Sequence, residues 1–241
     1  MSVITLSSQH GAGARDVGRL VADRLMLQYV DQTVLVDAAR ELGVTVSSVA
    51  ERDERTDSWR QRLGHFLQRA LERSAAGGQV DPMLGAANLE VMLAQTYQEM
   101  AEGDVPGVVD DRSILEAMGH IIEDLATGGD VVIIGRGGQM ILQDRSDAVH
   151  VQLVADVKIR AQRVMGWESL DEEGAVERMR SFDRSRAAFH KKFWKVDVWD
   201  PRLYDLVINT TALDYSAAAD LIEQAVGLKA GLVTATSSVE G

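Results

Sequence analysis

The stretch MSVITLSSQHGAGARDVGRLVADRLMLQYVD, residues 1–31, decides the fold because it joins a strand, a small-residue turn and a helix. Residues 2–6 predict the strand, since Val3, Ile4 and Thr5 are β-branched. After the turn, apolar side chains recur at the helical spacing i, i+3, i+4 and i+8, at Val17, Leu20, Val21 and Leu25. A helix N-terminus behind a glycine turn offers unpaired backbone N–H groups, so this stretch predicts an anion site that suits phosphate.

The turn matches neither common nucleotide-binding signature completely. Laid on G-x-x-x-x-G-K-[ST], it has Ser8 at the first glycine, Ala14 at the lysine and Arg15 at the hydroxyl residue. Laid on G-x-G-x-x-G, it has Asp16 at the third glycine, with Asp31 near the place of the ribose-binding acid. Arg15 offers a guanidinium fork for phosphate. Two alternatives therefore stay open, a phosphate-binding turn and an ordinary strand-to-helix connection.

Composition restricts the class of protein. The chain has 241 residues, 46% of them hydrophobic, which is enough for one α/β core with a smaller subdomain. The sequence has no cysteine, and its five histidines are scattered, so we expect neither disulfides nor a structural metal. The net charge of -12 argues against a nucleic acid or an anionic membrane as partner. No transmembrane run and no signal peptide are recognisable, which predicts a cytoplasmic protein.

Further along the chain, strands alternate with helices. Residues 33–41 predict a helix, and residues 47–111 predict a mainly helical insertion, either a cover for the sheet edge or a mobile arm over a second substrate. A helix is predicted from Ser113, strands at 131–134, 148–155 and 204–208, and helices at 157–165 and 216–226. This alternation predicts a doubly wound parallel sheet, followed by a disordered tail at 229–241.

One of these strands is followed directly by a turn that contains an arginine. Residues 131–134, Val-Val-Ile-Ile, form a continuous apolar run typical of a central parallel strand covered on both faces. Gly135-Arg136-Gly137-Gly138 follows at its carboxyl end, where open α/β sheets bind their ligands. Arg136 is therefore a candidate anion contact.

Positive charge gathers between residues 158 and 195 of this acidic chain. Ten of the 25 Lys and Arg residues lie there against six acids. The acids at 171–173 open a predicted helix, and arginines follow at 178, 180, 184 and 186. A solvated helix face explains many charge runs, but arginines stacked on one face repel each other unless an anion lies between them. A phosphate chain would be such an anion.

Placed in order, these pieces resemble the cytidylate kinase-like family, relatives of the nucleoside monophosphate kinases. The resemblance spans residues 3–226 and is weakest at 47–111. Its motifs are Ile4-Thr5-Leu6-Ser7 with Gly11-Ala12-Gly13-Ala14-Arg15, Tyr29-Val30-Asp31, Val132-Ile133-Ile134-Gly135-Arg136-Gly137, Asp183-Arg184-Ser185-Arg186, Trp199-Asp200-Pro201 and Tyr204-Asp205-Leu206-Val207-Ile208-Asn209-Thr210.

The resemblance implies a P-loop NTPase-like core with a parallel five-stranded sheet at residues 1–46 and 112–228, an insertion for the monophosphate at 47–111 and an arginine-bearing lid at 167–197. It implies ATP with Mg²⁺ as donor and CMP or a related nucleotide as acceptor. The donor phosphates would lie on Ser8, Gln9, His10, Gly11, Ala12, Gly13, Ala14 and Arg15.

For the remaining site residues, the resemblance implies that Arg136 contacts the acceptor phosphate and that Asp31 lies near the acceptor. Asp183, Arg184 and Arg186 would belong to the catalytic group, with both arginines closing over the transferred phosphoryl group.

Three functions fit the sequence. The first is a nucleoside monophosphate kinase in which Arg15 replaces the lysine. The second is a nucleotide-binding regulatory protein of the same fold without turnover. The third is a scaffold whose partner docks on residues 57–100.

Overall fold

The computed structural model describes residues 1–31 and 111–237, and of residues 111–117 and 232–237 only the backbone. The predicted helix at 33–41 and, apart from Asp111, the predicted insertion at 47–111 lie outside the described residues. The strands are β1 (Val3–Ser8), β2 (Gln28–Val30), β3 (Val131–Ile134), β4 (Ala148–Val154) and β5 (Leu206–Asn209). The helices are α1 (Ala14–Leu25), α2 (Asp111–Gly128), α3 (Gly138–Ile141), α4 (Val157–Glu168), α5 (Glu172–Trp194) and α6 (Tyr215–Ser237), with a 3-10 turn at Pro201–Leu203.

The strands form one parallel sheet in the order β2-β3-β1-β4-β5, which confirms the predicted five-stranded fold. β1 is the middle strand, so the turn after Ser8 emerges at the centre of the carboxyl edge. Parallel sheets of this kind bind ligands at that edge.

Alternation along β1 divides the core into two layers. Ile4 and Leu6 pack on one face with apolar residues of α1 and α6, among them Val17 and Ile222. Val3 packs on the other face with apolar residues of α2. The whole of β3 is buried, as its unbroken apolar run predicts.

Two boundaries differ from the sequence prediction. The last strand begins at Leu206, two residues later than predicted, and follows the 3-10 turn Pro201–Leu203, which Asp200 caps by accepting a hydrogen bond from Arg202 N. The last helix continues to Ser237, past residue 229, where the sequence predicts a disordered tail. Lys229 Nζ lies 2.8 Å from Asp205 Oδ2, and this ion pair ties the helical extension to the sheet edge. No helix within the described residues has the length and apolarity to cross a bilayer.

Candidate functional site

The turn between β1 and α1 is a glycine loop formed by residues 9–13. Gly11 and Gly13 have φ values of 84° and 92°, a left-handed conformation that costs other residues free energy. Gly13 also packs closely against the Tyr215 ring: a Cβ at this position would lie only 2.6 Å from Tyr215 Cζ. The loop leads directly into the N-terminus of α1, which is the arrangement that binds phosphate.

Donors from outside the loop hold three consecutive loop carbonyls. Arg160 Nη1 donates to His10 O at 3.1 Å, and Arg163 Nη1 donates to Gly11 O at 3.2 Å. Thr210 Oγ1 donates to Ala12 O at 2.9 Å. The loop conformation is therefore set by α4 and by the residue that follows β5.

Arg160, Arg163 and Thr210 were not among the predicted site residues. One signal could have identified them: each follows the carboxyl end of β4 or β5, the edge on which the glycine loop lies. Their roles as carbonyl donors depend on distances across the sheet, which the sequence does not encode locally.

His10 joins the glycine loop to α5. Its backbone N–H donates to Asp183 Oδ1 at 2.9 Å, and its ring stacks on Phe182 with centroids 4.3 Å apart. Its Nε2 lies 3.6 Å from the buried carboxylate of Glu168, which also pairs with Arg178 Nε at 3.0 Å. Of the predicted residues, His10 and Asp183 are thus in direct contact.

The two predicted lid arginines differ in their surroundings. Arg184 is exposed, and its Nε donates to the Arg180 carbonyl of its own helix at 3.3 Å. Arg186 is half-buried, and no acceptor among the described residues reaches its buried Nη1. Burial raises the pKa of Tyr204, and the positive charge of nearby Arg186 counteracts that shift. Arg186 is therefore the more enclosed of the two arginines.

The charges of Arg15 and Asp31 both act on Tyr29. Burial raises the pKa of Tyr29 strongly; the charge of Asp31 adds to this shift, and the charges of Arg19 and Arg15 oppose it. The Arg19 guanidinium of α1 lies over the Tyr29 ring at 5.5 Å, so α1 packs on the end of β2. The roles that the resemblance implies for Arg15 and Asp31 stay predictions.

The turn after β3 is conformationally unusual. Gly135, Arg136 and Gly137 have φ values of 75°, 54° and 70°, so Arg136 adopts a left-handed conformation between two glycines. Its side chain is 1% exposed. Such strained residues are retained where the surrounding structure fixes them, often at functional sites. The ring of Trp194, at the end of α5, packs against Gly137, where a Cβ would lie 2.9 Å from Trp194 Cζ3.

The buried side chain of His190 anchors α5 near this turn. Its Nδ1 donates to the Arg186 carbonyl at 2.9 Å, because a carbonyl oxygen accepts only. The neutral Nε2 then accepts from Gln139 Nε2 at 3.0 Å. Protonation would break this second bond as well as place a charge in the interior. Burial lowers the pKa of His190 to about 4.

We expect this histidine to make the fold less stable in mild acid. The His190 side chain takes up a proton near pH 6.5 in the unfolded chain and only near pH 4 in the folded chain. Its contribution to the unfolding free energy is therefore present in full above pH 6.5 and is lost as the pH falls toward 4. Between pH 7 and pH 5, His190 should account for a loss of about 2 kcal/mol in unfolding free energy. Urea titrations should show that the unfolding free energy of H190Q falls by about 2 kcal/mol less than that of wild type between pH 7 and pH 5. H120Q, at an exposed site on α2, should keep the wild-type slope; equal slopes in H190Q and wild type would contradict the assignment.

A pocket of about 440 Å³ opens beside the loop. It is lined by Asp16, Arg163, Trp167, Asp214 and Tyr215. The Arg163 guanidinium lies over the Tyr215 ring at 4.9 Å, and the same arginine donates to Gly11 O. Arg163 therefore borders both the pocket and the glycine loop. Aromatic and guanidinium faces next to carboxylates suit a planar base that carries an amino group.

The chain is an α/β protein with a parallel sheet, and its glycine loop lies between the central strand and the first helix. The family model described as "Cytidylate kinase-like family" matches residues 3–212, and the chain belongs to that family. This confirms the resemblance seen in the sequence.

Individual relatives are more distant. A cytidylate kinase of Methanococcus maripaludis is 26% identical over 158 residues, which cover 65% of this chain and 83% of that protein. A uronate isomerase of Corynebacterium glutamicum is 30% identical over 112 residues, 45% of this chain and only 21% of that protein. The crystal structure of an uncharacterized protein from Eubacterium ventriosum has a TM-score of 0.60 at 16% identity, covering 94% of this chain and 99% of that one, a likeness in fold. Family membership supports a nucleotide kinase function.

Proposed function

We propose that this protein is a phosphotransferase of the nucleoside monophosphate kinase type, which uses ATP with Mg²⁺ as donor and CMP or a related nucleotide as acceptor. One observation carries the proposal: the helix that bears Arg186 docks on the glycine loop through Asp183 and His10. An anion site and a half-buried cation thus lie on one connected unit at the carboxyl edge of the sheet. The kinship with proteins named cytidylate kinase supports the choice of acceptor.

The reaction needs little covalent chemistry from the protein. An acceptor phosphate oxygen attacks the γ-phosphorus of ATP, the bond to the β,γ-bridging oxygen breaks, and ADP leaves with that electron pair. The glycine loop and the N-terminus of α1, with Arg15, would hold the donor phosphates. Arg136 would hold the acceptor phosphate, near Asp31, and Arg186 would neutralise charge on the transferred group.

The pocket beside the loop is our candidate for the donor base. The aromatic side chains of Tyr215 and Trp167 line it, and the carboxylates of Asp16 and Asp214 would accept hydrogen bonds from an exocyclic amino group. Because Tyr215 also packs on Gly13, a base in this pocket would lie next to phosphates held on the loop.

Mg²⁺ in such a site is held largely by the nucleotide itself. Among residues 1–31 and 111–237, no three His, Asp or Glu side chains converge as a metal site, and Arg15 stands in place of the usual hydroxyl ligand. Mg²⁺ commonly keeps several waters and binds through substrate phosphates with one or two carboxylates, so we expect the nucleotide phosphates to supply most of its ligands other than water. When bound, the ion would neutralise phosphate charge.

The direct test is ADP formation with ATP, Mg²⁺ and a panel of nucleoside monophosphates. We expect turnover that requires both the metal and the acceptor, and that is fastest with CMP or a close relative. ATP hydrolysis without acceptor serves as the blank. A panel in which no monophosphate raises ADP above this blank would reject the kinase proposal.

A second candidate is a regulatory protein that binds nucleotide without turnover. Two features favour it: Ala14 and Arg15 replace the lysine and hydroxyl of the phosphate loop, and the loop amide of His10 already pairs with Asp183. For this function, millimolar nucleotide should raise the melting temperature by mass action while no product forms. An unchanged melting temperature would argue against it.

A further inference from the structure

His10 is held from four directions by the unit formed by α4 and α5. Its N–H and C=O groups bind Asp183 and Arg160, its ring face stacks on Phe182, and its ring nitrogen approaches Glu168. These contacts attach the arginine-bearing helix α5 to the glycine loop through His10.

Asp183 is the centre of this attachment. Oδ1 accepts from His10 N at 2.9 Å, and Oδ2 accepts from Arg160 Nη1 at 2.7 Å. The Arg160 and Asp183 side chains are 8% and 20% exposed, so water screens the pair little. Both carboxylate oxygens are thus used to join α5 to α4 and to the loop.

The same side of α5 carries the residues that point toward the sheet edge. Asp183, Arg186 and His190 are three and four residues apart, which places them on one face of a helix. His190 fixes the later turn of this face to Gln139. With both ends held, the position of Arg186 between them is determined.

We propose that Asp183 is a positioning residue that latches α5 onto His10 of the glycine loop and thereby places Arg186 for the reaction. This inference rests on the proposed function and assigns Asp183 a role different from direct contact with substrate. Glu168 and Phe182 reinforce the latch through the His10 ring.

The test compares D183N with wild type and with E177Q, a matched loss of charge at an exposed position of the same helix. The side-chain amide that D183N introduces has one acceptor oxygen in place of two, so it cannot hold His10 N and the Arg160 guanidinium at the same time. In the ligand-free protein, we expect amide hydrogen exchange in residues 172–194 to quicken in D183N, with β1 and β3 unchanged. E177Q should exchange like wild type.

Kinetics then separate positioning from general destabilisation. D183N should lower kcat at least tenfold and change the KM for ATP less than threefold, because the loop remains intact. In an R186A background, adding D183N should lower kcat by less than a further twofold, since both changes remove the same function, that of a positioned Arg186. The proposal would be overturned if the losses in kcat from D183N and R186A added in the double variant, or if α5 of D183N exchanged its amide hydrogens at the wild-type rate. Should D183N fail to fold, F182L, which removes only the ring stack, should show the same pattern at smaller size.

The two proposals fail differently. A wild-type protein without kinase activity would reject the proposed function, and hydrogen exchange alone would then decide the latch. An active enzyme whose D183N variant keeps wild-type exchange and kcat would reject the latch and leave the kinase intact.

Discussion

R186A is expected to lower kcat for phosphoryl transfer by at least tenfold, with a much smaller change in the KM for ATP. The Arg186 Nη1 atom is buried and has no acceptor among the described residues, so its charge is available for an anion brought by the substrates. A guanidinium that neutralises the transferred group contributes mainly in the transition state, and such arginines are worth about 10³–10⁵ in other phosphotransferases. Steady-state assays of ADP formation measure both constants.

R184A is the matched comparison, because it removes the same charge two residues away. The family resemblance implies that both arginines close over the transferred group, whereas the structure has Arg184 exposed and bonded to its own helix. We therefore expect the larger loss from R186A. Equal activity of R186A and wild type would contradict the role proposed for Arg186.

G13A is expected to abolish measurable ATP binding and to lower the melting temperature. The new methyl group would meet the Tyr215 ring, 2.6 Å from Cζ, and the backbone φ of 92° disfavours any side chain. The conformational cost alone is about 1–2 kcal/mol, and displacement of the ring would also disturb the pocket wall. Calorimetric titration with ATP and a thermal melt measure the two effects.

G119A provides the control for this variant. Gly119 lies in α2, where an added Cβ meets no described atom within 4 Å. Alanine there should leave ATP binding unchanged and stabilise the helix by up to about 1 kcal/mol. If G13A binds ATP as tightly as G119A, the glycine loop is not the donor-phosphate site.

The order of strands and helices could be predicted because each element is encoded locally. The β-branched run before the loop, the stripe from Val17 to Leu25 and the apolar run at 131–134 each depend on near neighbours in sequence. The extension of the last helix past residue 229 goes with a tertiary contact, the pair of Lys229 with Asp205, and periodicity does not report such contacts.

The site was predicted in part for the same reason. Glycine spacing and the carboxyl-edge rule identified the loop and Arg136 as candidates, and the structure brings His10 and Asp183 together across 173 positions. Arg160 and Arg163 were counted only as positive charge. Their pairing with loop carbonyls depends on how α4 packs beside the loop, and charge pattern alone cannot specify that geometry.

Helix α5 contacts both turns at the carboxyl edge, the glycine loop through Asp183 and the Gly135–Gly137 turn through Trp194. Because one helix contacts both turns, a shift of α5 at one turn would strain its contact with the other turn. We therefore expect donor and acceptor to bind with mutual cooperativity: the factor by which the first ligand changes the affinity of the second equals the factor in the reverse order.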